Sequence, residues 1–348
     1  MEDLDTQVLR AASGWQAQGL PVLLVTVART WGSSPRPPGS LMAINGQGDT
    51  VGSVSGGCIE DDLIERIRAG GVPAVCASGA PAVLRYGISA DEAHRFGLPC
   101  GGTVELVLEP VSARSRLQEL LLACQQRHSS ERCLDLQTGQ VDLRSGRCDG
   151  VPRLTDAQLI TYLGPQARLI LIGAGDLSHF MSQMALGLGF EVIVCDPREE
   201  QRASWKLEGV QLSHEMPDDL ILRLQPDTRT ALVALTHDPK LDDLALIDAL
   251  QSEAFYVGAI GSRRHSELRR ERLRTHFNLS QADLQRLRGP AGLYIGSKTP
   301  AEIALSIMAE VVAVKNGVPV REPVPVATGK SRQPQPGASA FTAPTCGV

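Results

Sequence analysis

The chain contains no Cys-x-x-Cys pair. Its eight cysteines, at positions 58, 76, 100, 124, 133, 148, 195 and 346, therefore do not read as a zinc ribbon. No apolar run is long enough to span a bilayer. The acidic start, Met-Glu-Asp-Leu-Asp, lacks the apolar core of a signal peptide. These absences predict a cytoplasmic chain with reduced cysteines and no membrane partner. There is no basic excess either. A net charge of -5 argues against nucleic acid as a bulk partner, so an anionic ligand would need local positive sites. At 348 residues, two domains are expected.

What is present is most legible at Arg168-Leu-Ile-Leu-Ile-Gly173-Ala-Gly175. Leu169 to Ile172 read as a buried strand. A glycine turn follows, and Leu177, Phe180, Met181, Met184, Ala185 and Leu188 then fall at helical spacing. Gly189 stops the helix, and Glu191 to Cys195 return as a strand ending in Asp196. This is a βαβ unit with a dinucleotide-type turn. Gly173 and Gly175 would let backbone N–H groups approach an anion, and Asp196, 23 residues after Gly173, stands where an acid meets a ribose hydroxyl. Ser178 occupies the third glycine position. That leaves open a Rossmann-like fold without a nucleotide.

Later strand endings carry polar residues of the same kind. Thr230–Leu235 runs into Thr236-His237, Ala254–Ile260 into Gly261-Ser262-Arg263-Arg264, and a strand predicted at 293–295 into Ser297-Lys298-Thr299. Ligands of open parallel sheets collect at carboxyl strand ends. His237, Ser262, Arg263 and Lys298 would therefore suit a phosphate-bearing ligand. His237 reads equally as a structural hydrogen-bonding residue beside Asp238 and Lys240. Arg269 to Arg274 read as a solvated helix face. Thr299, Pro300 and Glu302 start the last helix.

In the first half, residues 3–18 read as a helix, 21–28 as a strand, and 41–44 with 50–54 as a hairpin. Between them, Arg29 to Gly39 reads either as a rigid surface connection or as an anion-binding rim with Arg36 held by prolines. Ser55-Gly56-Gly57-Cys58 opens a helix. This predicts an anion nest with Cys58 at the positive helix end, where a thiolate is favoured; the alternative is a small residue filling a tight turn. Cys100-Gly101-Gly102 repeats the cysteine–glycine juxtaposition before a strand at 103–108. Strands are also predicted at 72–77 and 82–86. Glu105 reads as one exposed strand face. A helix at 113–127 and a hairpin at 131–148 follow. Residues 149–166 read as an interdomain connection, which divides the chain into 1–150, 151–322 and a polar, proline-rich tail at 323–348.

Together these segments resemble the xanthine dehydrogenase accessory factor family, XdhC/CoxI. The matching pieces are Gly32 to Arg36, Gly52 to Glu60, Cys100 to Gly102, the glycine turn through Arg198, Thr236-His237, Gly258 to Arg264 and Gly292 to Ile303. The resemblance implies α/β architecture: an N-terminal mixed α/β XdhC/CoxI domain and a C-terminal Rossmann-like parallel-sheet domain. It also implies a cofactor-maturation chaperone rather than a metabolic enzyme. Such a protein binds the molybdenum cofactor, in its molybdopterin mononucleotide or dinucleotide form. It supports sulfuration by a cysteine desulfurase and delivers the cofactor to an apo molybdenum hydroxylase. By motif position, Cys58 and Cys100 are the expected cofactor and metal contacts; soft thiolate suits a molybdenum–sulfur centre. A homodimer is compatible with this reading. The alternatives are an NAD(P)-dependent oxidoreductase, on Gly173, Gly175 and Asp196, and a scaffold that binds nothing small.

Overall fold

The computed structural model describes residues 3–31, 36–76, 79–87, 103–146 and 150–318. The chain separates into two units, one reaching to Gln166 and the other starting at Ala167. Among the described residues no helix is long and apolar enough to cross a membrane.

In the first unit, Asp3 accepts the Thr6 N–H at 2.8 Å and starts α1 (Leu4–Ala17). The strands β1 (Val22–Trp31), β2 (Leu41–Asn45) and β3 (Thr50–Gly52) follow. Next come α2 (Cys58–Gly70), β4 (Ala82–Tyr86) and β5 (Thr103–Pro110). They form an antiparallel sheet in the order β3-β2-β1-β5-β4. Alternation along β1 sorts its side chains. Leu23, Val25 and Val27 pack with Ile59, Leu63 and Ile67 of α2, whereas Val22 and Leu24 pack with Val8, Leu9 and Ala12 of α1. Leu117 and Leu120 of α3 (Leu117–Gln125) complete that second core. A further antiparallel sheet, in the order β7-β6-β9-β8, is built from β6 (Ser130–Asp135), β7 (Val141–Ser145), β8 (Arg153–Leu154) and β9 (Gln158–Leu163). Its Leu134, Val141, Leu154 and Leu159 bury Ala28 and Val107 of the first sheet.

Three expectations are corrected in this unit. Residues 149–166 include two strands of the second sheet rather than a plain connection. Val72–Ala74 is a 3-10 turn, because Pro73 supplies no ladder donor. Glu105 is buried, not exposed. A bulge between Val27 and Arg29 brings Arg29 opposite it, and Arg85 binds it from β4 at 2.6 Å.

The second unit runs β10 (Arg168–Ile172), α4 (Asp176–Gly187), β11 (Glu191–Cys195), α5 (Glu199–Ala203), β12 (Val210–Ser213) and α6 (Pro217–Leu224). It continues with β13 (Thr230–Ala234), α7 (Pro239–Gln251), β14 (Tyr256–Ala259) and α8 (Arg263–Phe277). The last elements are α9 (Gln281–Arg286), β15 (Leu287–Arg288) and α10 (Pro300–Lys315). All strand pairs are parallel, in the order β12-β11-β10-β13-β14-β15. This is the doubly wound Rossmann order, with its switch point between β10 and β13. Both faces are covered, so β10 and β13 are buried along their whole length. One face packs Ile170 and Ile172 under α6 to α9. The other packs Leu169 and Leu171 under α4 and α10.

Two expectations are corrected here. Residues 293–295 are not a sheet strand; the sixth strand is the two-residue Leu287–Arg288, and Gly292 and Gly296, both with positive φ, break the chain around Tyr294. The arginines of α8 are not all solvated either. Arg269 is buried and spans Asp242 and Asp243 of α7 at 2.9 Å each, while Arg272 binds Asp243 at 2.7 Å.

The first unit holds a buried ion pair: Arg132 Nη2 meets the two Glu109 carboxylate oxygens at 2.6 and 2.8 Å. Replacing Arg132 alone with Met strands a buried charge and should cost about 3–5 kcal/mol. Adding Glu109→Leu should restore most of that loss. Urea denaturation of the two variants checks the sign of the difference.

Candidate functional site

The first sheet brings its ligand-like loops to one end. There β1, β3 and β4 finish and β2 and β5 begin. Arg36 stands at this end, and its Nε donates to Ser53 O at 3.1 Å, beside the Ser55–Cys58 turn. Cys100, Gly101 and Gly102 lie outside the described residues. The described residues flanking that segment, Gly87 and Thr103, are joined at 3.1 Å by a bond from Thr103 Oγ1 to Gly87 O.

The expected anion nest at Ser55-Gly56-Gly57 is filled by the chain's own carboxylate. Glu60 accepts N–H groups from Val54 at 3.0 Å, Ser55 at 2.8 Å and Gly57 at 3.1 Å. The Ser53 hydroxyl donates to it at 2.8 Å, and the Ser55 hydroxyl donates to it as well. Burial alone would raise the Glu60 pKa, but the bonds from Ser55 and Ser53 prevail and hold it down at about 2. Ser55 thus supports the turn. Gly57, at φ 130°, is the position where only glycine makes the bend easily, and a Cβ there would meet nothing within 4 Å. The rigid turn sets Cys58 on the first turn of α2 with its side chain exposed. Cys76 and Cys195 differ. Burial pushes their thiols up to about 11 and about 12, which disfavours thiolate in both. Among the described residues, no group of three or more His, Cys, Asp or Glu could hold a metal ion.

In the second unit, the turn Gly173–Gly175 is also engaged internally. Gly173 has φ 106°, and a Cβ there would come within 2.8 Å of Thr236 Cγ2. Ser178, in place of the third glycine, is buried and turns its hydroxyl onto Gly173 O. Asp196 is 0% exposed. It accepts the Ala174 N–H at 2.9 Å, the Arg198 N–H at 3.0 Å, and Arg198 Nε and Nη2 at 2.9 Å each. Burial would raise its pKa, but the Arg198 guanidinium bond helps hold the carboxyl below the ordinary range. The acid predicted to meet a ribose instead fastens the glycine turn.

His237 and Ser262 do come together. They line a cleft of roughly 410 Å³ at the carboxyl ends of β13 and β14, with Leu177, Ile260, His265 and Tyr294 among its other walls. His237 is exposed and adopts φ 64°. It is preceded by Thr236, whose N–H and hydroxyl donate to Asp242 at 3.1 and 2.7 Å. Arg269 binds that same Asp242 and also Ile260 O, at 3.2 Å. One buried guanidinium therefore joins the two strand ends that frame the cleft. Ser262 Oγ accepts the His265 N–H at 3.1 Å and caps α8. Arg263 and Lys298 are exposed and do not line the cleft; the Lys298 N–H donates to Glu302 in the cap of α10. Sequence reasoning missed Glu60, Asp242, Arg269, His265 and Tyr294. Of these, Glu60 carried a signal, an acid three residues after the Gly57 that opens the helix.

These features define a two-unit protein in which a Rossmann unit follows an antiparallel sheet domain that displays a cysteine at a helix start. The XdhC Rossmann domain model matches residues 169–311, and the XdhC and CoxI family model matches residues 15–87. The chain belongs to the XdhC/CoxI family. It is 26% identical over 312 residues to the molybdenum cofactor insertion chaperone PaoD of Escherichia coli, covering 88% of each chain. To a probable xanthine dehydrogenase subunit of Bacillus subtilis it is 25% identical over 333 residues, covering 86% of this chain and 94% of that one. A solved structure described as a xanthine dehydrogenase from Bacillus halodurans shares the fold, with TM-score 0.70, 24% identity and coverage of 93% and 98%.

The Glu60 cradle yields a signed pH effect. Its folded pKa, about 2, lies below the ordinary 4.5, so its stabilisation is full above pH 4.5 and is lost as the pH falls toward 2. Glu60→Gln should lower stability at neutral pH by about 2–3 kcal/mol. Its unfolding midpoint should fall less steeply than wild type across that acid window, as measured by denaturant titration at stepped pH.

Proposed function

We propose that this chain is a molybdenum cofactor insertion chaperone for a molybdenum hydroxylase of the xanthine dehydrogenase type, acting in the cytoplasm. The observation that carries the reading is the exposed Cys58, set on the first turn of α2 by the Glu60-filled turn, in a chain of the XdhC/CoxI family. PaoD, similar over most of its length, bears the name of such a chaperone.

The donor chemistry fits this cargo. A thiol at the positive end of a helix is a soft ligand for a metal already held by dithiolene sulfur. Cys58 would contact the molybdenum–sulfur centre, with Cys100 as its expected partner. Arg36, beside the same turn, would face the cofactor's phosphate. Because Glu60 takes the N–H groups of Val54, Ser55 and Gly57, those three donors are not open to an anion. Grip then depends on side chains, and a carrier that must release its cargo needs only a modest hold. Sulfuration of the bound cofactor by a cysteine desulfurase, delivery to the apo hydroxylase and a homodimeric state complete the reading. The NAD(P)-dependent oxidoreductase draws support from the Rossmann strand order, but Asp196, its ribose contact, is buried and saturated.

Anaerobic equilibrium binding of released molybdenum cofactor to wild type, Cys58→Ala and Cys100→Ala tests the proposal. Wild type should bind, and Cys58→Ala should bind at least about tenfold more weakly, a loss near 1.4 kcal/mol. Cys58→Ala should also transfer less cofactor to apo-enzyme. Undiminished binding and transfer by Cys58→Ala would remove Cys58 from the site, and no binding by wild type would refute the carrier role.

A further inference from the structure

The second unit contains a cleft that the chaperone reading does not use. Its placement within the Rossmann fold is specific. A dinucleotide lies across the switch point, with one nucleotide over each half of the sheet. Here the half formed by β10, β11 and β12 offers an adenosine phosphate poor contacts. The Asp196 carboxylate is buried, and four hydrogen bonds saturate it, one from Ala174 in the glycine turn and three from Arg198. Asp176, exposed in the first turn of α4, brings a negative charge to the helix end where a pyrophosphate would rest.

The half formed by β13, β14 and β15 is different. Its strand ends open into the cleft of roughly 410 Å³, a size typical of small-molecule sites. Leu177, Ile260, Pro290 and Ile303 give it apolar walls, and Tyr294 adds an aromatic ring. Ser262, the cap of α8, and His265, in its first turn, line it; the positive end of this 15-residue helix also carries the exposed Arg263 and Arg264. His237 enters from the end of β13, and Ser297 from the loop before α10. Apolar walls suit a flat heterocycle, while the α8 end suits a single phosphate. Asp242 and Arg269 hold both strand ends in place without entering the cleft.

We propose that the Rossmann unit of this chain is a half-site: it binds a mononucleotide-class ligand, one heterocycle with one phosphate, in the β13–β14 cleft, and does not bind a dinucleotide across the sheet. The phosphate lies at the α8 end, near Ser262 and His265, and the heterocycle lies against Tyr294 and Ile303. This holds whether or not Cys58 carries the molybdenum cofactor.

Isothermal titration of the full chain with nicotinamide mononucleotide, CMP, AMP, NAD and NADP tests it. At least one mononucleotide should bind, and neither dinucleotide should bind more than about threefold tighter. Ser297→Trp, which fills the cleft from an adjoining loop, should abolish that binding while circular dichroism stays unchanged. Arg198→Ala, in the other half, should leave mononucleotide binding within about twofold of wild type. NAD or NADP binding about tenfold tighter than every mononucleotide, and weakened by Arg198→Ala, would establish a dinucleotide site and overturn the proposal. Failure of all five probes to bind below about 1 mM would overturn it too. Either failure is distinct from loss of cofactor binding at Cys58, which is read on a different ligand and a different variant.

Discussion

Backbone N–H groups at a glycine turn must find acceptors, and in this protein the chain supplies its own. Glu60 takes the N–H groups of Val54, Ser55 and Gly57; Asp196 takes those of Ala174 and Arg198. Each carboxylate sits beside a sequence that reads as an anion cradle and takes backbone N–H groups there, from Val54, Ser55 and Gly57 at the first turn and from Ala174 at the second. Charge-assisted bonds are stronger than neutral ones. They make both turns rigid without a ligand. The same bonds remove from both turns part of the contact set that a phosphate would need.

That constraint divides the functional surface. In the first unit the locked turn leaves Cys58 exposed at the start of α2, with Arg36 bonded to Ser53 close by. In the second, the open cleft lies at the ends of β13 and β14 rather than over β11 and β12. There His237, Ser262 and His265 line a cleft whose two rims share the Arg269 guanidinium. Buried charges maintain this arrangement. Asp242, raised in pKa by burial, is also bonded to Thr236 and paired with Arg269. Such pairs fix geometry more than they add stability.

The sequence made much of this legible where local signals were long and periodic. The βαβ unit from Arg168 to Asp196, the Thr299–Glu302 cap and the hairpin around Asn45 all form as their residues predict. Both halves of the expected architecture are present. What stayed hidden depends on partners distant in the chain. Glu105 alternates like a solvent-facing residue, yet a bulge and a neighbouring strand deliver Arg29 and Arg85 to it. Arg269 looks like any arginine of a charged helix until Asp242 and Asp243 meet it from α7. The two-residue strands β8 and β15 have no periodicity to detect. At the two glycine turns, residue types pointed to an anion but not to the carboxylates that bond there. The glycines signalled an anion, and the anion at each turn is a side chain of the protein.

The most direct test is an amide titration. Inorganic pyrophosphate would be added to nitrogen-15-labelled protein, and the amide signals of Val54, Ser55, Gly57 and Ala174 followed. If Glu60 and Asp196 occupy the two turns, these four signals stay in place through saturating ligand. A saturable shift of the Val54, Ser55 and Gly57 signals, or of Ala174, would mean that an external anion displaces the internal carboxylate, and would contradict the account.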